Sequence, residues 1–150
     1  MQGIGCVYVT LQVGPGTFLP LRDKNVANHI MHAERCQVSE MTAARIRKAR
    51  NQGGRIVAVG TTVVRTLESF ADSAHVIRAG EMETCLFITP GFCFRVVDAL
   101  LTNFHLPKST LLMLVCAFLG RQATLNAYTE AVHQSYRFLS YGDAMFIDDA

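Results

Sequence analysis

A chain of 150 residues, 50% hydrophobic and 17% charged, is long enough to bury one core and is neither disordered nor fibrous. Its net charge of +2 does not by itself imply a polyanionic partner, yet residues 1–65 carry nine Lys or Arg against three acids and residues 66–150 carry five against nine. That basic first half suits either phosphate or an ordinary solvated helix face.

Alternation in VYVTLQV, residues 7–13, predicts a strand ending at the turn Gly14-Pro15-Gly16, followed by a loop through FLPLRD. Ser39 and Glu40 supply a cap and a first-turn acid for a helix through RIRKAR, which Gly53-Gly54 ends. IVAVG reads as a buried strand, and Val63, Leu67 and Phe70 in TTVVRTLESF share one helical face. LFIT and FRVVDALL, on either side of PGF, are predicted strands. STLLMLVCAFLG is a buried helix capped by Ser109 and stopped at Gly120. A helix over NAYTEAVHQSYRF and a short strand, AMFI, complete the pattern.

Strands alternating with helices predict a layered α/β fold, a mixed sheet with flanking helices in one domain. A strand starting so close to Met1 has nothing before it to pair with, so part of the sheet is expected to be missing. The nine apolar residues of LLMLVCAFL fall well short of the roughly 20 that span a bilayer, and no export leader precedes VYVTL. Five cysteines without a CxxC spacing read as reduced thiols, and the expected location is the cytoplasm.

Polar residues gather in four places. VAVGTTVVR runs a strand through Gly60 into a helix at Thr61 and Thr62, which offers free N–H groups to a carboxylate or phosphate; equally, it is a Thr-capped helix with Arg65 paired to Glu68 on the surface. HIMHAE brings His29, His32 and Glu34 within six positions. As a zinc site it lacks further ligands unless His105 and a cysteine supply them, so no metal is expected and the imidazoles read as hydrogen-bonding groups. In TNFHLPKST, Pro107 and Ser109 belong to a turn and cap, whereas Thr102, Asn103 and His105 arrive where a strand empties into a loop, the usual place for binding groups in α/β folds. SYGDAM repeats this with Tyr141, Gly142 and Asp143, for which a turn with a capping aspartate is the plain alternative.

In this order VTLQVGPGTFLPLR, HIMHAE, VAVGTTVVRTLES, LFITPGFCFRVVDALLTNFHLPKSTLLMLV and YRFLSYGDAMFI resemble the S-adenosylmethionine:tRNA ribosyltransferase-isomerase family of queuosine biosynthesis, from about residue 4 to the C-terminus. The resemblance implies a chain matching the C-terminal portion of a family two-domain fold, without the N-terminal half that includes much of a β-barrel subdomain. It implies transfer and isomerisation of the ribosyl moiety of S-adenosylmethionine onto a 7-aminomethyl-7-deazaguanine base in tRNA, giving epoxyqueuosine and releasing adenine and methionine. S-adenosylmethionine is then a consumed substrate, no cofactor is needed, and the full-length protein is expected to be a monomer.

That chemistry sets requirements. A base acting on the carbon beside the sulfonium suggests Asp143, His105 or Glu34, and a proton donor for departing adenine suggests His105 or His32. Gly60, Thr61, Thr62 and Arg65 suit the methionine carboxylate, Thr102 and Asn103 a base edge or ribose, Phe92 a stacked ring, and Tyr141 a substrate contact. Arg45, Arg47, Lys48 and Arg50 make a basic helix for RNA phosphates. Two rivals remain. A Rossmann methyltransferase lacks its glycine-rich loop here, and a noncatalytic RNA-binding module leaves the buried polar clusters without a purpose.

Overall fold

The protein is described as a computed structural model covering residues 3–14, 29 and 31–148, the side chain of Tyr141 excepted. The Pro15-Gly16 part of the first turn and the FLPLRD loop lie outside those residues.

Among the described residues two three-stranded sheets form where one mixed sheet was expected. The first is antiparallel, with β2 (Glu34–Val38) between β1 (Thr10–Leu11) and β4 (Gly80–Thr84). The second has β5 (Ala99–Asn103) between β3 (Val57–Val59), which runs parallel to it, and β6 (Ala144–Asp148), which runs antiparallel. Of VYVTLQV only Thr10 and Leu11 pair, so β1 is a short edge strand with β2 as its neighbour.

Four α-helices connect these strands among the described residues. In α1 (Glu40–Asn51), the Ser39 hydroxyl accepts the Thr42 N–H at 3.1 Å, and Gly53, at φ +75°, turns the chain away after the last turn. α2 (Thr61–Ser69) follows Gly60 directly. α3 (Thr110–Leu119) is capped by Ser109, which accepts the Leu112 N–H at 3.1 Å. Gly120, at φ +86°, ends α3 and starts α4 (Arg121–His133), with a 114° bend between the two axes. The helix predicted over 126–138 therefore begins earlier, directly after the glycine, and stops before Ser135, whose φ is +57°. No single helix among the described residues is long and apolar enough to cross a membrane.

LFIT is not a strand; the partner of β2 is the preceding GEMET, exposed along most of its length, which hid it from an apolar-pattern reading. FRVVDALL pairs only from Ala99 onward. The N–H groups of Arg95, Val96 and Val97 donate instead to the buried Glu68 carboxylate, at 2.9, 3.0 and 3.0 Å. Glu68 therefore sits inside the protein, not in a surface pair with Arg65. Its three charge-assisted bonds hold the chain that feeds β5.

The core lies between the sheets and helices: Cys36 and Val38 of β2, Ala43 and Ile46 of α1, Val64 and Leu67 of α2, and Leu114 and Val115 of α3. Each fully buried aliphatic side chain contributes about 1.5–3 kcal/mol. One face of the second sheet, carrying Ala58, Leu100 and Ile147, is closed into this core. The other is open at Val57, Val59 and Phe146, so IVAVG is half-buried and not wholly interior. Likewise α3 is buried at Thr110, Leu114, Val115 and Cys116 and partly exposed elsewhere. All five cysteines are free thiols.

Candidate active site

Topology brings three of the polar segments to one end of the second sheet. Parallel β3 and β5 both finish there, and antiparallel β6 begins there. Gly60 joins β3 to α2 at φ +95°, a left-handed backbone that suits glycine, and its N–H donates to Leu101 O at 2.8 Å. The Gly60 carbonyl accepts from Val63 and Val64, leaving the Thr61 and Thr62 N–H groups at the positive end of the helix dipole. Thr61 is buried and Thr62 half-buried.

Beside it, β5 ends in Thr102 and Asn103. The Thr102 hydroxyl lies 2.9 Å from His105 Nε2, and the Tyr128 hydroxyl accepts the His105 backbone N–H at 3.0 Å. Between them Phe104 packs among Tyr128, Tyr136 and Phe138, at centroid distances of 5.2, 5.7 and 5.3 Å. Its carbonyl accepts the Leu139 N–H at 2.9 Å, which holds Leu139 at φ +65°. The two loops are tied into one unit.

The second loop places Asp143. The Arg137 N–H donates to Asp143 Oδ2 and the Asp143 N–H to Arg137 O, both at 2.8 Å, and Asn103 Nδ2 donates to Asp143 O at 3.2 Å. The turn closes tightly enough that a Cβ on Gly142 would lie 2.6 Å from the Arg137 carbonyl carbon. Tyr141 belongs to the short 3-10 turn Leu139–Tyr141, but its side chain is outside the described residues.

Burial pushes the His105 imidazole down to about 4, so it is neutral at physiological pH. A neutral ring hydrogen-bonds and accepts protons; it is not the resident donor that was expected for departing adenine. Burial also raises the Tyr128 phenol, which keeps it protonated.

Other expected residues lie elsewhere. Glu34 and Arg65 form a buried ion pair between β2 and α2, in which Glu34 Oε1 also accepts the Gly14 N–H at 2.8 Å and Arg65 Nε donates to Leu86 O at 3.1 Å. A carboxylate locked onto a guanidinium is a poor base, and the guanidinium is paired with Glu34 while its Nη2 has no partner among the described residues. His32 is exposed ahead of β2, and His29 stands edge-on to Phe87 at 5.2 Å; neither histidine is in a helix. Phe92 packs on Phe94, which packs on Phe118 near the far end of the sheet.

On α1, Arg47 donates to Ile77 O at 2.9 Å, while Arg50 donates to Arg95 O at 2.7 Å and pairs with Asp98 at 2.8 Å. These two arginines hold loops together, and Arg45 and Lys48 remain exposed. Sequence reasoning missed Tyr128 and Glu68. Tyr128 was signalled only by Leu125, Ala131 and Val132 around it on the helix, and Glu68 by nothing, because Arg65 three positions before it offered an obvious surface partner.

The family model described as queuosine biosynthesis protein matches residues 1–147. A protein of Citrifermentans bemidjiense named S-adenosylmethionine:tRNA ribosyltransferase-isomerase is 58% identical over 146 residues, covering 97% of this chain and 42% of that protein. The like-named protein of Vesicomyosocius okutanii is 53% identical, covering 99% of this chain and 43% of its own length. A crystal structure of S-adenosylmethionine tRNA ribosyltransferase from Thermotoga maritima superposes with a TM-score of 0.69 at 54% identity, over 76% of this chain and 40% of that one. The chain thus spans about two fifths of the length of the curated relatives it matches.

Proposed function

The chain belongs to the queuosine biosynthesis protein family, and on that footing we propose that it carries the catalytic end of a tRNA ribosyltransferase-isomerase acting in the cytoplasm. The supporting observation is the convergence of Gly60-Thr61-Thr62, Thr102-Asn103-His105 and Asp143 at one end of a sheet.

S-adenosylmethionine enters as a substrate. Its sulfonium acidifies the adjoining 5′ carbon, and Asp143 takes that proton, being the carboxylate at this end of the sheet with no ion pair shorter than the 3.9 Å approach of Arg137. The resulting ylide opens the ribose ring by expelling its ring oxygen from the 4′ carbon, which becomes the aldehyde oxygen at the 1′ carbon as adenine departs. The aminomethyl nitrogen adds to the 4′ carbon of the vinyl sulfonium and loses a proton, the 5′ carbanion so formed closes on the aldehyde, and the new alkoxide displaces methionine from the 5′ carbon to give the epoxycyclopentanediol. The methionine carboxylate rests on the free N–H groups of Thr61 and Thr62. Asn103, held by the Asp143 carbonyl, keeps an amide oxygen for a ribose hydroxyl or base edge. Neutral His105 orients substrate through its ring, and adenine leaves with a proton supplied by solvent or by a group of the larger relatives.

Adenine release from tRNA bearing the deazaguanine precursor tests this reading, with the chain assayed alone and joined to the preceding portion of the Citrifermentans bemidjiense relative. The joined chain should turn over, and Asp143→Asn should slow it by about 100-fold with little change in melting temperature. Unchanged turnover in that variant would make Asp143 a turn residue and end its assignment as the base.

A further inference from the structure

At the opposite end of the second sheet lies a cavity of about 580 Å³ lined by Arg55, Phe94, Val97, Asp98, Ala117 and Phe118. Arg55 and Asp98 precede β3 and β5, and Ala117 and Phe118 are in the last turn of α3, so the cavity is separate from the site at Asn103 and Asp143. One wall is aromatic: Phe118 lies 4.6 Å from Phe94, which lies 5.0 Å from Phe92. The other is polar and fixed. Asp98 accepts the Ile56 N–H at 2.7 Å and Arg50 at 2.8 Å, and Arg55 pairs with Asp148 while its side chain stays 56% exposed.

We propose that this cavity receives an unpaired nucleobase of the RNA substrate, resting on the tRNA reading above for the identity of the partner. The volume falls in the range of small-ligand sites and exceeds what one base needs. Half-buried rings give a base a flat surface, and a carboxylate and a guanidinium together match the donors and acceptors on a base edge. Two fixed charged groups suit neither an acyl chain nor any wholly apolar ligand. The surroundings fit a nucleic-acid backbone: Arg50 ties the cavity to the end of α1, where Arg45 and Lys48 are exposed three positions apart, and Arg95 is exposed beside Phe94. The cavity therefore holds a base outside the chemistry and registers the RNA relative to Asp143.

The probes are guanosine and adenosine monophosphate and an unstructured hexaribonucleotide, titrated into the chain and followed by NMR. Shifts are expected at Phe94, Val97, Asp98 and Phe118, with hexanucleotide affinity lowered about 10-fold or more by Phe118→Ala. Phe118→Leu, which keeps apolar bulk but removes the flat ring, should weaken binding without unfolding the chain. In the joined enzyme either variant should raise the tRNA KM and spare kcat. Shifts confined to Gly60, Thr61 and Asn103, or a tRNA KM unchanged by Phe118→Leu in an enzyme that still releases adenine, would overturn the cavity assignment and leave the proposed activity standing. Nucleotide shifts at Phe94 and Phe118 in a joined chain that releases no adenine would support the cavity and overturn the activity.

Discussion

Replacing Glu34 by Gln should cost about 3–5 kcal/mol, because it strands the Arg65 cation in a place water does not reach. The two side chains are 1% and 5% exposed, and among the described residues Arg65 Nη2 has no hydrogen-bond partner and no second carboxylate is paired with this guanidinium. Glutamine keeps the size of the side chain and an acceptor for the Gly14 N–H, which isolates the electrostatic effect. For a chain of this size the melting temperature should drop by about 6–20 °C. Glu34→Met combined with Arg65→Met removes both charges and takes those partners from the Gly14 N–H and the Leu86 carbonyl, but replacing a buried ion pair by apolar side chains of similar size costs far less than stranding one charge. The double variant should thus be the more stable of the two, as measured by urea or thermal unfolding. A single variant that loses less than about 1 kcal/mol, or a double variant that loses the sum of its parts, would show that the pair is hydrated and refute the argument.

Because burial holds the His105 imidazole at about 4 against 6.5 in the unfolded chain, the unfolded state takes up the proton first as pH falls. His105 should therefore cost nothing above pH 6.5 and remove roughly 3 kcal/mol between pH 6.5 and 4, a slope that His105→Asn flattens in pH-dependent unfolding. Gly142→Ala should destabilise the turn by about 1–3 kcal/mol, since its Cβ meets the Arg137 backbone, and in the joined enzyme it should lower turnover by displacing Asp143. Arg45→Ala with Lys48→Ala should reduce the salt slope of tRNA binding by about 1–2 without lowering stability. Arg50→Ala, which breaks the tie to Asp98, should instead lower the melting temperature.

Local signals were the most legible. Ser39 and Ser109 cap the helices they were expected to cap, and Gly53 and Gly120 stop them, because capping involves residues only a few positions apart. The end of the sheet where Asn103 and Asp143 meet was also foreseeable, since strand-to-loop junctions can be read from apolar runs. Partners brought together by the fold were not. Arg65 and Glu68 lie three apart on one helix and looked like a surface pair, yet Arg65 reaches Glu34 across to β2 and Glu68 gathers the backbone of 95–97. GEMET escaped because an exposed edge strand carries no apolar alternation, and its partner is fixed by a ladder to residues far back in the chain.

The order of strands also bears on how the chain reaches this structure. β4 sits in the first sheet, yet the strands before and after it, β3 and β5, sit in the second. The first sheet closes around a loop that contains β3, and the second around a loop that contains β4. Glu34 must find Thr84, Val57 must find Ala99, and Ala99 must find Asp148, all by closing long loops before any ladder bond forms. Such topology places folding in the slow regime of non-local sheets, on the order of milliseconds to seconds, with Val57, Val59 and other strand residues exposed while the helices are already formed. The interleaving of the two sheets thus lengthens the interval in which the nascent chain is vulnerable to association.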